Sequence, residues 1–476
     1  MAYYPIVPET DNRRETRGCL PTVLRNCMVE KAPQGASRRS PYFIMPTPGR
    51  TLRATLSDNC RGLYSEPGSL SSVLVAPAGG ALNKVTSAWV VTSIGSITGT
   101  DDVQIVPFQA DIALLADGVI YHNDGTTQTQ ITDVDAPSPA GSLASVAYRL
   151  VASAATFDSF DWSGAGTFNT WPTDGTAADI YLPDPIVNQM ELNAELWSFN
   201  SRSIQIWQPT GGAEAEAFAA MSAGGLRIGL LTKHAICRVR DGAMFIGHDR
   251  RVYRTSGAGA EPIANRDLET ALAALTAAEV DANIRCWSYT QEAKTFFGVN
   301  LGLERAFVYD LDLGLWHERS RYGYGAYDID FAASAFDGQE TVVASSTQPY
   351  LWTLDQDVYV DGSSVIEREM TVHLRTEGDT SLDRIVFDME FRDQPTTGQG
   401  SSPQMMVSVS KDGGETWSDE RIISLPTLGQ YKKRVQAHRW GSGRSELGIL
   451  IRIRLTDPIY FAVFGIFVNP TPQEVP

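Results

Sequence analysis

Along most of the chain the apolar residues come in short runs, without the three-to-four spacing of amphipathic helices. Val103–Phe108, Val119–His122, Leu196–Phe199, Ile204–Gln208, Ala243–Gly247, Arg251–Arg254, Thr295–Val299 and Ala306–Asp310 are of strand length and rich in β-branched or aromatic residues. Between them stand Asp117-Gly118, Asp124-Gly125, Asp174-Gly175, Gly211-Gly212, Asp241-Gly242, Asp337-Gly338 and Asp361-Gly362. Such pairs accept the positive φ angles of tight hairpin turns. Short strands punctuated in this way predict an all-β chain. One stretch departs from the pattern. Leu268, Leu272 and Leu275 fall at helical spacing, and Thr276 through Glu279 has the form of a capping box opening a second short helix. A short helical insertion is therefore expected near 265–282.

The strands also echo one another. Asp117–Gly125, Asp241–Arg254 and Ala306–Trp316 each run from an apolar strand through a polar turn into an aromatic strand, and Leu196–Trp207 and Tyr350–Val360 repeat the outline. Units of about four strands recurring every ~40–50 residues predict the blades of a β-propeller. The expected organisation is a propeller-like region over 62–370, containing the helical insertion, and a C-terminal β-rich region over 371–476. Whether that last region completes the propeller or stands apart is open at this level, as is the number of blades. Residues 1–61 carry Pro5, Pro8, Pro21, Pro33, Pro41, Pro46 and Pro48, which disfavour helix and central strand alike. They are expected to form an extended arm, lying either on their own domain or on a partner subunit.

Charge sharpens this division. Of the 39 Lys and Arg and 56 Asp and Glu, ten and five fall in 1–61, twenty and forty-four in 62–410, nine and six in 411–460, and Glu474 completes the acids. The ends are thus basic (+5 and +3) and the middle strongly acidic (−24), for a net −17. A duplex-gripping module needs a basic surface, so ordinary DNA binding is excluded. The cysteines (19, 27, 60, 237, 286) form no CxxC and no metal-finger spacing, which argues against a disulfide framework and for maturation in a reducing cytoplasm. No apolar run approaches the ~18 residues of a membrane helix, and the N-terminus lacks the basic-then-apolar pattern of a signal peptide.

The sharpest motif is Ser410-x-Asp412-x-Gly414-x-Thr416-Trp417, which matches the Asp-box of sialidases and other propellers. Its side chains satisfy turn N–H groups and its Trp packs the hairpin down, so its expected role is structural. A glycan-cleaving propeller would need further boxes, an arginine cluster and a Tyr/Glu pair, and the first two are missing. The six His are scattered, there is no HExxH or Walker loop, and Gly164-Ala-Gly166 lacks the rest of a dinucleotide fingerprint. Ala220-Met-Ser222-Ala-Gly224 imitates a nucleophile elbow but reads as a small-residue turn. Asp310 and Asp312 read as the start of a hairpin turn, with a calcium pair as the lesser alternative. No catalytic, cofactor or metal residue is assigned. The basic cluster Lys432, Lys433, Arg434 and Arg439 precedes the alternating strand Ile449–Leu455. It reads either as a solvated face or as a charged contact with an acidic neighbour.

The order of these pieces resembles the tail nozzle proteins of short-tailed bacteriophages, also called packaged-DNA stabilisation or tail-hub proteins. The resemblance rests on Leu196–Gly211, the helical 265–280, Ala306–Asp310 with Leu315-Trp316, the late Asp-box turn, Lys432–Arg434 with Arg439-Trp440-Gly441, and the closing amphipathic strand. It spans roughly 140–470, and the Thr/Ala/Gly-rich 123–180 and the N-terminal arm depart from it. The resemblance implies a non-enzymatic virion structural protein with a β-propeller and further β domains. It implies a hexameric ring at the distal tail, below the portal and its adaptor, assembled in the host cytoplasm. Such a ring retains the packaged genome and becomes its exit tube, with tail fibre or spike and needle or plug proteins as further partners. DNA would pass without sequence-specific binding. The competing expectation is a glycan-binding or glycan-cleaving propeller, favoured by the Asp-box and the abundant Trp and Tyr.

Overall fold

The computed structural model describes residues 2–5, 23–32, 40–212, 214–263, 265–302, 306–324, 327–374, 379–392, 394–430, 433–444 and 448–469. The chain is all-β, and the predicted apolar runs are strands. Five successive four-stranded antiparallel units are each built from consecutive hairpins, starting at Gln104–Phe108, Ala140–Val146, Ile186–Leu192, Ile236–Val239 and Arg285–Gln291. Before them come Leu74–Ala78, Ala81–Val85 and Val91–Ser96, with Cys60 and Tyr64 bridging to Ala78 and Val75. After them come Phe331–Ala335, Glu340–Ala344 and Tyr350–Asp355. These sheets are the seven blades of a propeller among the described residues.

Each blade is buried on both faces by its neighbours, which is why its strands read as unbroken apolar runs. Ala243 through Ile246, for example, are all fully buried. Shared cores join each blade to the next around the ring, as where Phe160 and Trp162 of the third blade meet Trp207 and Phe218 of the fourth. The ring closes where Leu56, Cys60 and Leu74 pack on Ala335, Phe336 and Leu351. Close packing also explains Gly298, where a Cβ would lie 2.3 Å from the Trp287 ring. The aspartate–glycine turns behave as expected: Asp117 and Gly118 have φ of 49° and 80°, Asp337 and Gly338 of 58° and 79°.

Between the fifth and sixth blades lie helices α1 (Arg266–Ala274) and α2 (Ala277–Asn283). Asn265 caps α1 by accepting from Leu268 N, and Thr276 and Glu279 form the reciprocal capping box on α2. Leu268, Leu272 and Val280 are buried against the fourth, fifth and sixth blades.

The C-terminal region forms no blade. It is a two-sheet sandwich. One sheet orders Cys27–Lys31, Tyr42–Pro46, Tyr460–Val468, Arg384–Arg392 and Val435–His438, with Ala2–Pro5 also on Tyr460–Val468. The other orders Leu24–Arg25, Arg368–Leu374, Ile449–Leu455, Gln404–Ser410 and Arg421–Ser424. Its core interleaves Val372, Val407, Ile451 and Ile453 with Cys27, Val29, Phe461 and Val463.

The N-terminal arm is corrected between Leu24 and Thr55. Of the two placements expected it takes the one on its own chain, not as an extended arm but as paired strands woven into both folds. Leu24–Arg25, Cys27–Lys31 and Tyr42–Pro46 are sandwich strands, while Gly49–Thr55 pairs with Tyr350–Asp355 as the outer strand of the seventh blade. The apolar Leu24, Cys27, Val29 and Ile44 drive this, because an exposed arm would leave them in water. Arg25 pairs in parallel with Glu318 at the rim of the sixth blade and antiparallel with Glu369 in the sandwich, so one dipeptide makes a single sheet of blade and sandwich.

Candidate functional site

At the junction, Arg25 pairs with the fully buried Glu318 at 3.3 Å. Next to it Asn26, buried and at φ 51°, donates to Ser320 O (2.9 Å) and Glu367 O (2.8 Å) and accepts from Ser320 N (3.0 Å). One side chain thereby holds a propeller loop and a sandwich loop. The buried Arg368 donates to Tyr359 O at 2.9 Å. Arg50, on the strand that closes the propeller, pairs with Asp328 at 2.9 Å and with Asp361, and lies 4.7 Å over the Trp352 ring. Buried charges are tolerable when paired in this way, and costly to leave single.

The Asp-box turn lies in the sandwich, following strand Gln404–Ser410, and not in the propeller. Ser410 Oγ accepts from Gly414 N (2.8 Å) and donates to Asp412 Oδ1 (2.7 Å), which accepts from Thr416 N (2.9 Å). Partial burial opposes ionisation of Asp412, but the hydrogen bonds from Thr416 and Ser410 outweigh it and hold the carboxyl down at about 2. Trp417 lies 4.4 Å beneath the Arg452 guanidinium. The side chains of Ser410, Asp412 and Thr416 are thus all engaged in holding the turn.

Of the predicted basic cluster, Lys432 lies outside the described residues. Lys433, Arg434 and Arg439 are exposed about Val435–His438, which forms one edge of the sandwich. Lys433 donates to Ser424 Oγ (2.8 Å) and Leu425 O (3.0 Å). Arg439 takes φ 61° and donates its N–H to Asp383 O. Arg421 lies 4.1 Å over Trp440 and donates to the carbonyls of residues 438 and 439. In the following strand Arg454 pairs with Glu367 and Glu420, each at 2.6 Å. The structure therefore gathers Lys433, Arg434 and Arg439 on one edge.

Two lesser expectations resolve locally. Asp310 accepts from Asp312 N and Leu313 N, closing the expected hairpin turn, while Asp312 pairs with Arg240 at 3.1 Å. The segment 220–224 lies inside strand Phe218–Leu226, not in a turn: Ala220 pairs with Trp207, Gly225 with Gln205, and the residues between them fall at a register shift. Cys27, Cys60, Cys237 and Cys286 are free thiols, and burial pushes Cys27, Cys60 and Cys237 up to about 12.

The axis of the propeller carries a cluster that sequence reasoning missed. Innermost strands of all blades run in the same sense, so residues preceding them converge on one mouth of the ring. There Asp102, before the second blade, meets His234, before the fifth (3.1 Å), and Arg285, opening the sixth (2.6 Å). Asp101 meets Lys233 at 2.8 Å. Arg61, beside the first blade, donates to the carbonyls of Asp101, Gly79 and Thr98. Second and fifth or sixth blades face each other, so these pairs cross the axis and close it. Burial, with Arg285 and Lys233 beside it, pulls His234 down to about 3, so it contacts Asp102 as neutral imidazole. Burial raises Asp102, opposed by Arg285. No motif could have revealed the cluster, since its members are single residues from distant segments.

Among the described residues no helix is long and apolar enough to cross a membrane, and no cluster of three or more His, Cys, Asp or Glu could hold a metal ion. Solved structures with similar shape include the RRP9 WD40 repeats (TM-score 0.39, 9% identity, 65% of this chain and 99% of that chain). Others are the Neurospora crassa Pan2 WD40 domain (0.39, 10%, 65% and 96%) and PorZ of Porphyromonas gingivalis (0.39, 13%, 79% and 46%). At these TM-scores they carry no weight for function. A search of curated proteins gave no match. Family models do match: the "Bacteriophage P22 Gp10, beta-propeller" model over residues 13–359 and the "Bacteriophage P22 Gp10, beta-sandwich" model over 368–469. With both folds matched in order over most of its length, the chain belongs to the P22 Gp10 family of tail nozzle and DNA-stabilisation proteins of short-tailed phages, structural proteins of the virion tail.

Proposed function

We propose that six copies of this tail protein form a ring at the distal tail, below the portal and adaptor. The ring retains the packaged genome and then serves as its exit tube. Assembly takes place in the host cytoplasm, and a fibre or spike and a needle or plug protein are further partners. The protein performs no catalysis. The observation that carries this reading beyond family membership is the closed propeller axis. With Asp102, His234 and Arg285 across it, one chain offers no passage, so a conduit has to be built between copies. The acidic 62–410 suits the wall of such a tube, because a duplex repelled by its surroundings slides and is not gripped. The glycan reading loses its chief support, since the one Asp-box belongs to the sandwich.

Lys432, Lys433, Arg434 and Arg439 are proposed as contacts with acidic surfaces of a neighbour or of the adaptor. Replacing Lys432, Lys433 and Arg434 together by Glu should sharply reduce the fraction of particles that carry a complete tail, scored by electron microscopy. Unchanged assembly removes this segment from the interface. Cryo-EM of intact particles with sixfold symmetry about the tail axis tests the whole reading. It expects six copies around a duplex-wide channel, and absence from the tail or an off-axis position overturns it.

A further inference from the structure

Two exposed apolar patches among the described residues lie at opposite ends of the molecule and in surroundings of opposite charge. The first is a tip between the third and fourth blades, where Ile180 is 76% exposed, Tyr181 41% and Phe157, in the adjoining hairpin turn, 59%. Asp179 N donates to Asp158 O (2.8 Å) and Ile186 N to Phe157 O (2.9 Å), so the two segments share one end of the third blade. Two buried aspartates pin the tip. Asp179 accepts from Trp207 Nε1 (2.9 Å) and the Asn200 amide; Asp184 accepts from Arg202 N (2.5 Å), Ser203 Oγ (2.6 Å) and Ser201 Oγ (3.2 Å). Tyr181 lies against Gly225, where a Cβ would meet its ring at 2.4 Å. Single exposed apolar residues need no explanation. Here three sit together on a tip that its anchors prevent from folding inward, the preorganisation that lowers the cost of docking.

The second patch is Ile422 (68% exposed) and Leu428 (57%) on the sandwich edge. The bonds from Lys433 to Ser424 and Leu425 hold this segment against the basic edge of Lys433, Arg434 and Arg439. Asp158, Asp179 and Asp184 belong to the tip, whereas residues 420–444 contain six Lys or Arg and one Glu (+5). The sandwich joins the propeller at the sixth and seventh blades, which the third blade faces across the ring.

We infer that the basic sandwich edge at Ile422 and Leu428 of one copy docks on the acidic, apolar tip at Phe157, Ile180 and Tyr181 of the next. This deepens the ring proposed above and rests on it. Different patches at opposite ends make a heterologous, head-to-tail contact, the kind that closes rings. Opposite charge fixes the partner and register, and the apolar tip supplies the anchors.

The test uses the full chain in assembled particles. A variant carrying Ile180→Cys and Ile422→Cys, treated with a short bismaleimide, should give a ladder of linked chains, with the 180–422 link identified by peptide mass spectrometry. Val134 is 92% exposed on the same blade, but Asp133 and Asp135 beside it bond Trp171 and Thr173 at the other end. The Val134→Cys, Ile422→Cys variant should give no such link. Ile180→Asp should weaken ring formation about tenfold or more, as for loss of an interface anchor, while Val134→Asp leaves it unchanged. Intact rings without the 180–422 link, or intact rings with Ile180→Asp, overturn this contact and leave the ring standing. Absence of any ring from unmodified particles overturns both.

Discussion

Propeller and sandwich are both antiparallel β-structures, yet they are assembled in contrary ways. From the second blade to the sixth, the four strands of each blade follow one another along the chain. The sandwich joins strands hundreds of residues apart, with Tyr42–Pro46 beside Tyr460–Val468 and Leu24–Arg25 beside Arg368–Leu374. Local hairpins close small loops, whereas these pairings must close nearly the whole chain first. The propeller can thus organise blade by blade, while the sandwich, and the last blade with it, waits for the N-terminal strap. The strap makes the two parts one body.

The harshest way to break this comparison is to remove residues 1–55. That takes the outer strand from the seventh blade and four strands from the sandwich, so neither part should fold. A soluble 56–476 chain with a cooperative thermal transition would show that the strap is dispensable. A gentler cut is Glu318→Ala, which strips the sixth-blade partner from the buried Arg25. The expected cost is about 3–5 kcal/mol. In calorimetry the variant should melt in two steps, sandwich apart from propeller, where the unmodified chain melts in one. A single unshifted transition would mean that the junction does not couple the two folds.

The smallest expected effect separates the parts by pH. Asp412, in the sandwich, has its folded value lowered to about 2, so its contribution is present above about pH 4 and is lost as the pH falls toward 2. Asp179, in the propeller, has its folded value raised to about 7, chiefly by burial and despite bonds from Asn200 and Trp207. Its contribution has the opposite sign: full below about pH 4 and lost as the pH rises through 7. Thermal midpoints measured from pH 2 to 8 should therefore lose their acid limb in Asp412→Asn and their neutral limb in Asp179→Asn. Unaltered slopes in either variant would remove that group from the account.

What was legible in the sequence was local. Asp117-Gly118 announced a hairpin because few other residues accept that backbone. Asn265 and Thr276 announced helix starts because capping is settled within four residues. The Asp-box announced its own turn for the same reason, but not the sheet that carries it. The order of such pieces was enough to suggest the family.

Apolar content, turn chemistry and charge distribution fixed from sequence alone an all-β protein with an acidic middle and basic ends. Only the tertiary structure decided that the proline-rich arm is a strap, that the C-terminal strands form a sandwich, and that Asp102, His234 and Arg285 close the propeller axis. The reason is physical. Hairpins and caps are satisfied by neighbours in the chain, whereas a strand edge accepts any partner of suitable pattern, and which distant strand fills it depends on burying all the faces at once.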